Sequence, residues 1–321
     1  MRVRLSEIAK EAGVSIALVS QVLNGKPVRV NEETRKHILE AADTLGYIPN
    51  RVAAGLRSNS TKVIGCIIPF FDTQFYGDLT NAMVTEAFNR GYECILCNSQ
   101  DDPKRERDFL GLSRSGIIDG LIAVPFSDTD NIDIYRELVK ERFPLVFAFR
   151  NIPQLNVPYA EGNREKDGYT LTRAAIAKGH RNIGIVIPAE CVPLSETLVR
   201  KNGYVKAMEE AGLECHVYHV AKPGEEDRKL LEDLRSGKLT MMLVPSSRDA
   251  QYTFLQCAKA HRYIPNEVEV IVFDRYTCTI ETQEDIEMYR YITAPPIPAS
   301  VPTSNPKLIG TRAVERLVEL L

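Results

Sequence analysis

The 321-residue sequence predicts a small all-α head followed by an α/β body built as two parallel-sheet lobes. Three observations carry that prediction. Capping and stop signals mark three short helices within the first 46 residues. From Lys62 onward, strand-length apolar runs alternate with helical stretches, the pattern of a parallel sheet covered on both faces. The alternation runs through twice, and a chain of this length exceeds what a single core usually serves.

In the head, Ser6 is placed to cap a helix over Glu7–Ala12, with Glu7 in its first turn and Gly13 behind it. Ile8, Ala9 and Ala12 share a face. Val14 fills a tight turn, and Ser15 caps a second helix, Ile16–Leu23, whose inward face is Val19, Val22 and Leu23. Asn24-Gly25 ends it. Asn31 caps a third helix, Glu32–Leu45, with Ile38, Ala42 and Leu45 inward and Gly46 as its stop. This is a helix-turn-helix unit. Its second helix is expected to enter the major groove of double-stranded DNA, with its leading residues on base edges. The outward residues are Ile16, Ala17, Ser20 and Gln21. Gln21 suits an adenine edge with both amide atoms, and Ile16 or Ala17 suits a thymine methyl. By pattern alone, a three-helix module for protein contacts fits the same residues.

Charge is distributed to match a polyanion partner for the head. Residues 1–62 hold ten Lys/Arg and six Asp/Glu, a net +4, whereas the rest hold 30 against 37, a net −7. Pro49 blocks continuation of the third helix, and Asn50 can cap a short helix ending near Leu56. That helix is too short to be stable alone, and Gly55 weakens it by about 1 kcal/mol. It is expected to fold only against DNA and a partner copy, with Ser58–Lys62 as a polar linker.

In the body, Val63–Ile68, Tyr92–Cys97, Gly120–Pro125 and Leu145–Phe149 read as buried strands, with helices over Leu79–Arg90, Pro103–Ser115 and Ile132–Arg142 between them. A second set follows: strands Asn182–Ile187, Val217–Val220, Met241–Pro245 and Val268–Phe273, with helices near Gly203–Ala211, Glu226–Ser236 and Asp249–His261. Ligands in such open sheets lie beyond the carboxyl ends of the strands, so two facing lobes make a cleft. Glu281–Pro306 carries five prolines and reads as irregular or extended, before an amphipathic helix over Leu308–Leu321. The expected domains are 1–49 for the head, 50–61 for hinge helix and linker, and 62–321 for the body. Within the body, one lobe is about 62–160 plus 292–321, and the other about 161–291.

The segments LSEIAKEAGVSIALVSQVLNG, VNEETRKHILEAADTLGYIPNRVAAGLR and KVIGCIIP resemble the lac repressor (LacI/GalR) family of bacterial transcriptional regulators. The resemblance implies a dimer on a palindromic operator, with Leu56 of both hinge helices wedged into the minor groove. It implies DNA contacts from Ser6, Ser15, Ile16, Ala17, Ser20, Gln21, Asn24, Asn50, Arg51, Ala53 and Leu56. The family commonly has Arg where this chain has Gln21, so a contact to guanine is lost. The body is implied to be of the periplasmic-binding-protein-like type, with a small-molecule effector between the lobes: a sugar, a sugar derivative or another metabolite.

Motif by motif, the effector residues implied are Phe75 and Tyr76 after the first strand, Phe149 and Arg150 at the fourth strand end, and Asn163 near the crossover. Arg200 and Asn202 come from the family's S-x-x-R-x-x-G-Y pattern, Ser246 and Ser247 follow strand 241–245, and Asp274 ends strand 268–273. Three positions that are usually acidic are neutral here, at Phe149, Gly162 and Ser247. Sugar hydroxyls need charged acceptors, so the readings open here are a less hydroxylated or acidic ligand opposite Arg200 and Arg150, a sugar bound differently, a protein co-regulator, or no effector. The chain also stops inside its last helix pattern, where family members usually continue.

Other functions find little support. The polar N-terminus carries no export signal, which opposes a secreted solute-binding protein, and seven scattered cysteines suit the cytoplasm. No apolar run is long enough to span a membrane. No Walker loop, G-x-G-x-x-G or G-x-S-x-G appears, so no cofactor and no catalytic residue is expected, which opposes an enzyme on the same scaffold. Cys94 and Cys97 lie on opposite faces of a strand, as do His216 and His219, and neither pair can hold a metal. Asp101-Asp102 reads as helix N-terminal charge and solvated surface.

Overall fold

The computed structural model describes residues 3–23, 27–47, 60–188, 194, 196–220, 228–245, 247–273, 283–293, 297–298 and 304–321. The chain divides into two compact units, Met1–Thr61 and Lys62–Leu321. The first holds α1 (Leu5–Glu11), α2 (Ile16–Leu23) and α3 (Glu32–Thr44) around a core of Ile8, Val19, Val22 and Ile38. Ser15 Oγ accepts from Leu18 N at 3.2 Å, and Asn31 Oδ1 from Thr34 N at 2.7 Å. Gly13 and Gly46 leave their helices at φ +64° and +63°, a conformation costly for any residue with a Cβ. Ser6 is not the cap of α1. The helix begins one residue before it, and Glu7 closes the turn by accepting from Arg4 N at 2.8 Å, leaving Ser6 exposed in the first turn.

The second unit opens with β1 (Val63–Ile68), α4 (Gln74–Asn89), β2 (Glu93–Asn98), α5 (Pro103–Leu110), β3 (Gly120–Ala123), α6 (Ile132–Lys140), β4 (Leu145–Ala148) and β5 (Tyr159–Ala160). These strands form one parallel sheet in the order β2-β1-β3-β4-β5. Its central strands are buried on both faces, which is why they read as unbroken apolar runs. α4 starts five residues earlier than its apolar periodicity suggests. Thr73 caps it, accepting from Tyr76 N, so Phe75 and Tyr76 stand in the first helical turn rather than in a loop. α5 ends at Leu110 and tightens into a 3-10 turn over Gly111–Arg114.

The chain continues with α7 (Arg164–Ala177), β6 (Ile183–Pro188), α8 (Glu196–Glu210), β7 (His216–Val220), α9 (Arg228–Arg235), β8 (Met241–Val244), α10 (Ser247–Lys259), β9 (Glu269–Val272), α11 (Gln283–Tyr289), β10 (Ile297–Pro298) and α12 (Pro306–Leu320). The second parallel sheet has the order β10-β9-β8-β6-β7. Residues 281–306 are thus not wholly irregular. The prolines begin at 295, and Gln283–Tyr289, free of them, forms a helix. Pro298 sits on an edge strand, where its missing N–H is tolerated. Since β10 belongs to the second sheet, the return to the first lobe comes after Pro298, beyond the 292 expected.

α12 closes the first lobe. Ile309, Ala313, Val314 and Leu317 enter the core made by β1 and α4. Gly310 lets α12 cross α4 closely: a Cβ there would lie 2.5 Å from Leu79 O. The α7–α8 crossing is closer still. A Cβ at Gly168 would lie 2.1 Å from Arg200 O, and one at Gly203 would lie 1.9 Å from Glu165 O.

Candidate DNA-reading face and ligand site

The exposed side of α2 is the face expected to read DNA. Ile16 is 52% exposed, an isoleucine in water at the leading turn of a helix whose other side is buried. Ala17 and Gln21 are exposed beside it, and Ser20 is half-buried. Ser15 holds the turn through its bond to Leu18 N. Asn24, Asn50, Arg51, Ala53 and Leu56, with the expected hinge helix, lie outside the described residues.

In the body, the expected wall residues form an aromatic cluster in the first lobe. Phe75 and Phe149 rings lie 4.2 Å apart, and Tyr76 meets both edge-on at 5.3 and 6.1 Å. Phe149, at φ +62°, ends β4 and is fully buried. Its left-handed backbone turns the carbonyl to accept from Tyr159 Oη at 2.7 Å and, closely, from Arg164 Nη1. The Arg164 guanidinium also covers the Phe149 ring at 5.0 Å. Arg164 carries no signal of this role in the sequence, because the helix it opens lacks an apolar face.

Arg150, expected at the ligand site, is engaged within the protein. It is 2% exposed and grips Asp101 with both terminal nitrogens, at 2.6 and 3.2 Å. Asp101 is accordingly no solvated surface acid, although its neighbour Asp102 does cap α5 by accepting from Lys104 N at 2.7 Å. In the second lobe, Arg200 is buried over the Phe273 ring at 4.6 Å and donates to Pro245 O at 3.4 Å. Asn202 is exposed and does not share its face. Asn163 caps α7, accepting from Lys166 N at 2.9 Å. Ser246 and Asp274 lie outside the described residues, and Ser247 is the first residue of α10. Cys94 and Cys97 pack into cores on opposite faces of the first sheet, and His216 is buried where His219 is exposed.

Below the carboxyl ends of β2, β3 and β4 lies a polar network that no sequence motif marks. Glu106, 1% exposed, accepts from Phe126 N at 3.0 Å and closely from Tyr135 Oη. Burial pushes its carboxyl up to about 7, against the opposing pull of those two hydrogen bonds and of Arg150. Burial and the neighbouring carboxylate push the Tyr135 phenol far up, so it stays a donor.

A helical head with one face left open, joined to a two-lobed parallel α/β body, defines a DNA-binding transcriptional regulator with a ligand-binding domain. The chain belongs to the LacI family. Residues 4–50 match the family described as bacterial regulatory proteins, lacI family, and residues 61–239 match the periplasmic binding proteins and sugar binding domain of that family. Residues 172–321 match a periplasmic binding protein-like domain. The catabolite control protein A of Priestia megaterium is 31% identical over 85% of this chain and 83% of its own. The sucrose operon repressor of Streptococcus mutans is 30% identical, with the same coverage. The fold is that of the lac repressor dimer bound to operator and the anti-inducer ONPF, at a TM-score of 0.78 and 21% identity, over 100% of this chain and 93% of that one. Among the described residues no helix is long and apolar enough to cross a membrane.

Proposed function

We propose that the protein is a cytoplasmic repressor without catalytic activity, which binds a palindromic operator as a dimer and is gated by a small molecule between its lobes. The observation that carries this is the exposed reading face of α2, with Ile16, Ala17 and Gln21 outward. Residues 1–49 would dock in the major groove, and 50–61 would fold at the operator centre with Leu56 as the wedge. A second copy would cover Phe88, 77% exposed, with Val84 one turn before it on α4 and Leu96 on the edge strand β2. The solved relative named above is a dimer on its operator. The effector would meet Phe75 and Tyr76 on one side and Arg200 on the other, with Asn163, Ser246, Ser247 and Asp274 around it. Arg150 is paired with Asp101, and Arg200, buried over the Phe273 ring, would favour an anionic or sparsely hydroxylated ligand.

Selection of full-length protein against random duplexes should return a palindrome, and binding to it should weaken steeply with salt. A variant lacking residues 1–57 should lose that binding and keep a folded body. If it still binds the selected duplex, the head assignment fails.

The same selection tests readout. Gln21 and the apolar pair should weight the half-site to adenine and thymine, and Gln21→Arg should move one position to guanine. Discrimination at that base pair should be about 1–3 kcal/mol. A half-site identical for both proteins would remove Gln21 from the reading set.

A further inference from the structure

We propose that the first turn of α7, Arg164–Gly168, is the joint between the two lobes, with Arg164 and Asp167 as the positioning residues that couple the ligand site to the first lobe. The chain leaves the first lobe at β5 and enters α7 after only three residues, 161–163. Arg164, the first helical residue, reaches back across that connection. It donates closely to Phe149 O and at 3.3 Å to Tyr159 Oη, and it lies over the Phe149 ring. Three residues on, the wholly buried Asp167 accepts from Ser304 Oγ. Ser304 immediately precedes Asn305, the cap of α12, so it marks where the chain has come back to the first lobe. One residue further, Gly168 lies against the backbone of Arg200.

Residues at i, i+3 and i+4 share one face of a helix. Positions 164, 167 and 168 therefore form one contact surface. It touches the ends of β4 and β5 in the first lobe, the start of the returning helix and the helix that carries Arg200. Contact at Gly168 is backbone against backbone, with no flexible atom to absorb movement. A shift of Arg200 toward a ligand must then pass into this turn. From there it reaches the aromatic wall through Arg164 and the start of α12 through Asp167. Short hinge elements of this kind are where small displacements become lobe rotations. The inference rests on the reading of the body as ligand-gated, but its test needs neither DNA nor ligand.

The test uses the full-length protein with spin labels on genetically encoded ketone residues at Arg136 in α6 and Glu232 in α9, both exposed, leaving the native cysteines in place. Pulsed dipolar spectroscopy then reads the lobe-to-lobe distance distribution. Arg164→Met and Ser304→Ala should each add a population of changed distance, and the double variant should enlarge it. Ser304→Thr, which keeps the hydroxyl donor, should restore the parent distribution. Amide exchange within β1–β4 and β6–β9 should stay as in the parent, separating a loosened joint from a loosened lobe. Folded variants with the parent distribution overturn the proposal. Should Arg164→Met fail to fold, Ser304→Ala alone decides by the same criterion. Loss of operator selection in the parent would sink the regulatory reading and leave the joint standing, whereas unchanged distances in an operator-binding protein would sink the joint alone.

Discussion

Replacing Gly203 by alanine should destabilise the body by about 3 kcal/mol or more, the upper end of what overpacking a core costs. The added Cβ would lie 1.9 Å from Glu165 O and 2.6 Å from Tyr169 N. Both are backbone atoms of α7, so no rotamer change relieves the overlap and the helices must part. Alanine's better helix propensity, about 1 kcal/mol over glycine, works in the opposite direction and is too small to win. The displaced helix carries Arg200, so any ligand response should fall with stability. Gly111→Ala provides the contrast: its φ is −59° and no atom stands within 4 Å of the new Cβ. That variant should be neutral or gain up to about 1 kcal/mol. Urea unfolding at unchanged slope reads both. A Gly203→Ala midpoint equal to that of the parent would show that the two helices are not packed as described.

The same two helices mark where the sequence ceases to be legible. The buried parallel strands are legible because both of their faces are covered, and that burial demands an unbroken apolar run such as Val63–Ile68. The helices of the head are legible from their caps, with α1 shifted because Glu7 rather than Ser6 organises its start. α7 leaves no such trace. Its buried positions are Asp167, Gly168, Thr172 and Ala175, small or polar residues that raise no apolar periodicity. Leu171, Ala175 and Ile176 join the core beneath it, but its closest packing is through glycine against α8, and only the glycines at 168 and 203 hint at that crossing. β5 and β10, two residues each, are too short to leave a pattern.

The site divides along the same line. Arg200 and the Phe75–Tyr76 pair, proposed for the ligand site, stand out because their neighbours in sequence form a recognisable pattern. Arg150 stands at a strand end as expected, but its partner Asp101 lies 49 residues away, and nothing local shows that the charge is already paired. Glu106 and Tyr135 pose the same difficulty at a separation of 29 residues. Ion pairs and buried carboxyls are set by the sheet order, which brings the ends of β2, β3 and β4 close together, and not by spacing along the chain.

Glu106 also gives the body a pH dependence with a definite sign. Its carboxyl sits at about 7 in the folded protein against 4.5 for an ordinary glutamate. The folded state therefore holds a proton that the unfolded state releases, and the stability this contributes is present in full below about 4.5 and lost as pH rises through about 7. A rise of that size corresponds to about 3 kcal/mol. The groups facing the carboxyl are Tyr135 on α6, Arg150 after β4 and Asp101 after β2, and of the two charged ones only Arg150 favours the ionised form. Glu106→Gln removes the charge while its amide oxygen still accepts from Phe126 N, and its NH2, in place of the second oxygen, can donate to Tyr135 Oη. The variant should match the parent near pH 5 and exceed it at pH 8 by about 1–3 kcal/mol, flattening the profile between. Urea midpoints measured across that range would decide it. Two parallel profiles would mean that the ionised carboxylate is already satisfied by its hydrogen bonds and by Arg150, so that the attraction of the ion pair outweighs the cost of burying the charge.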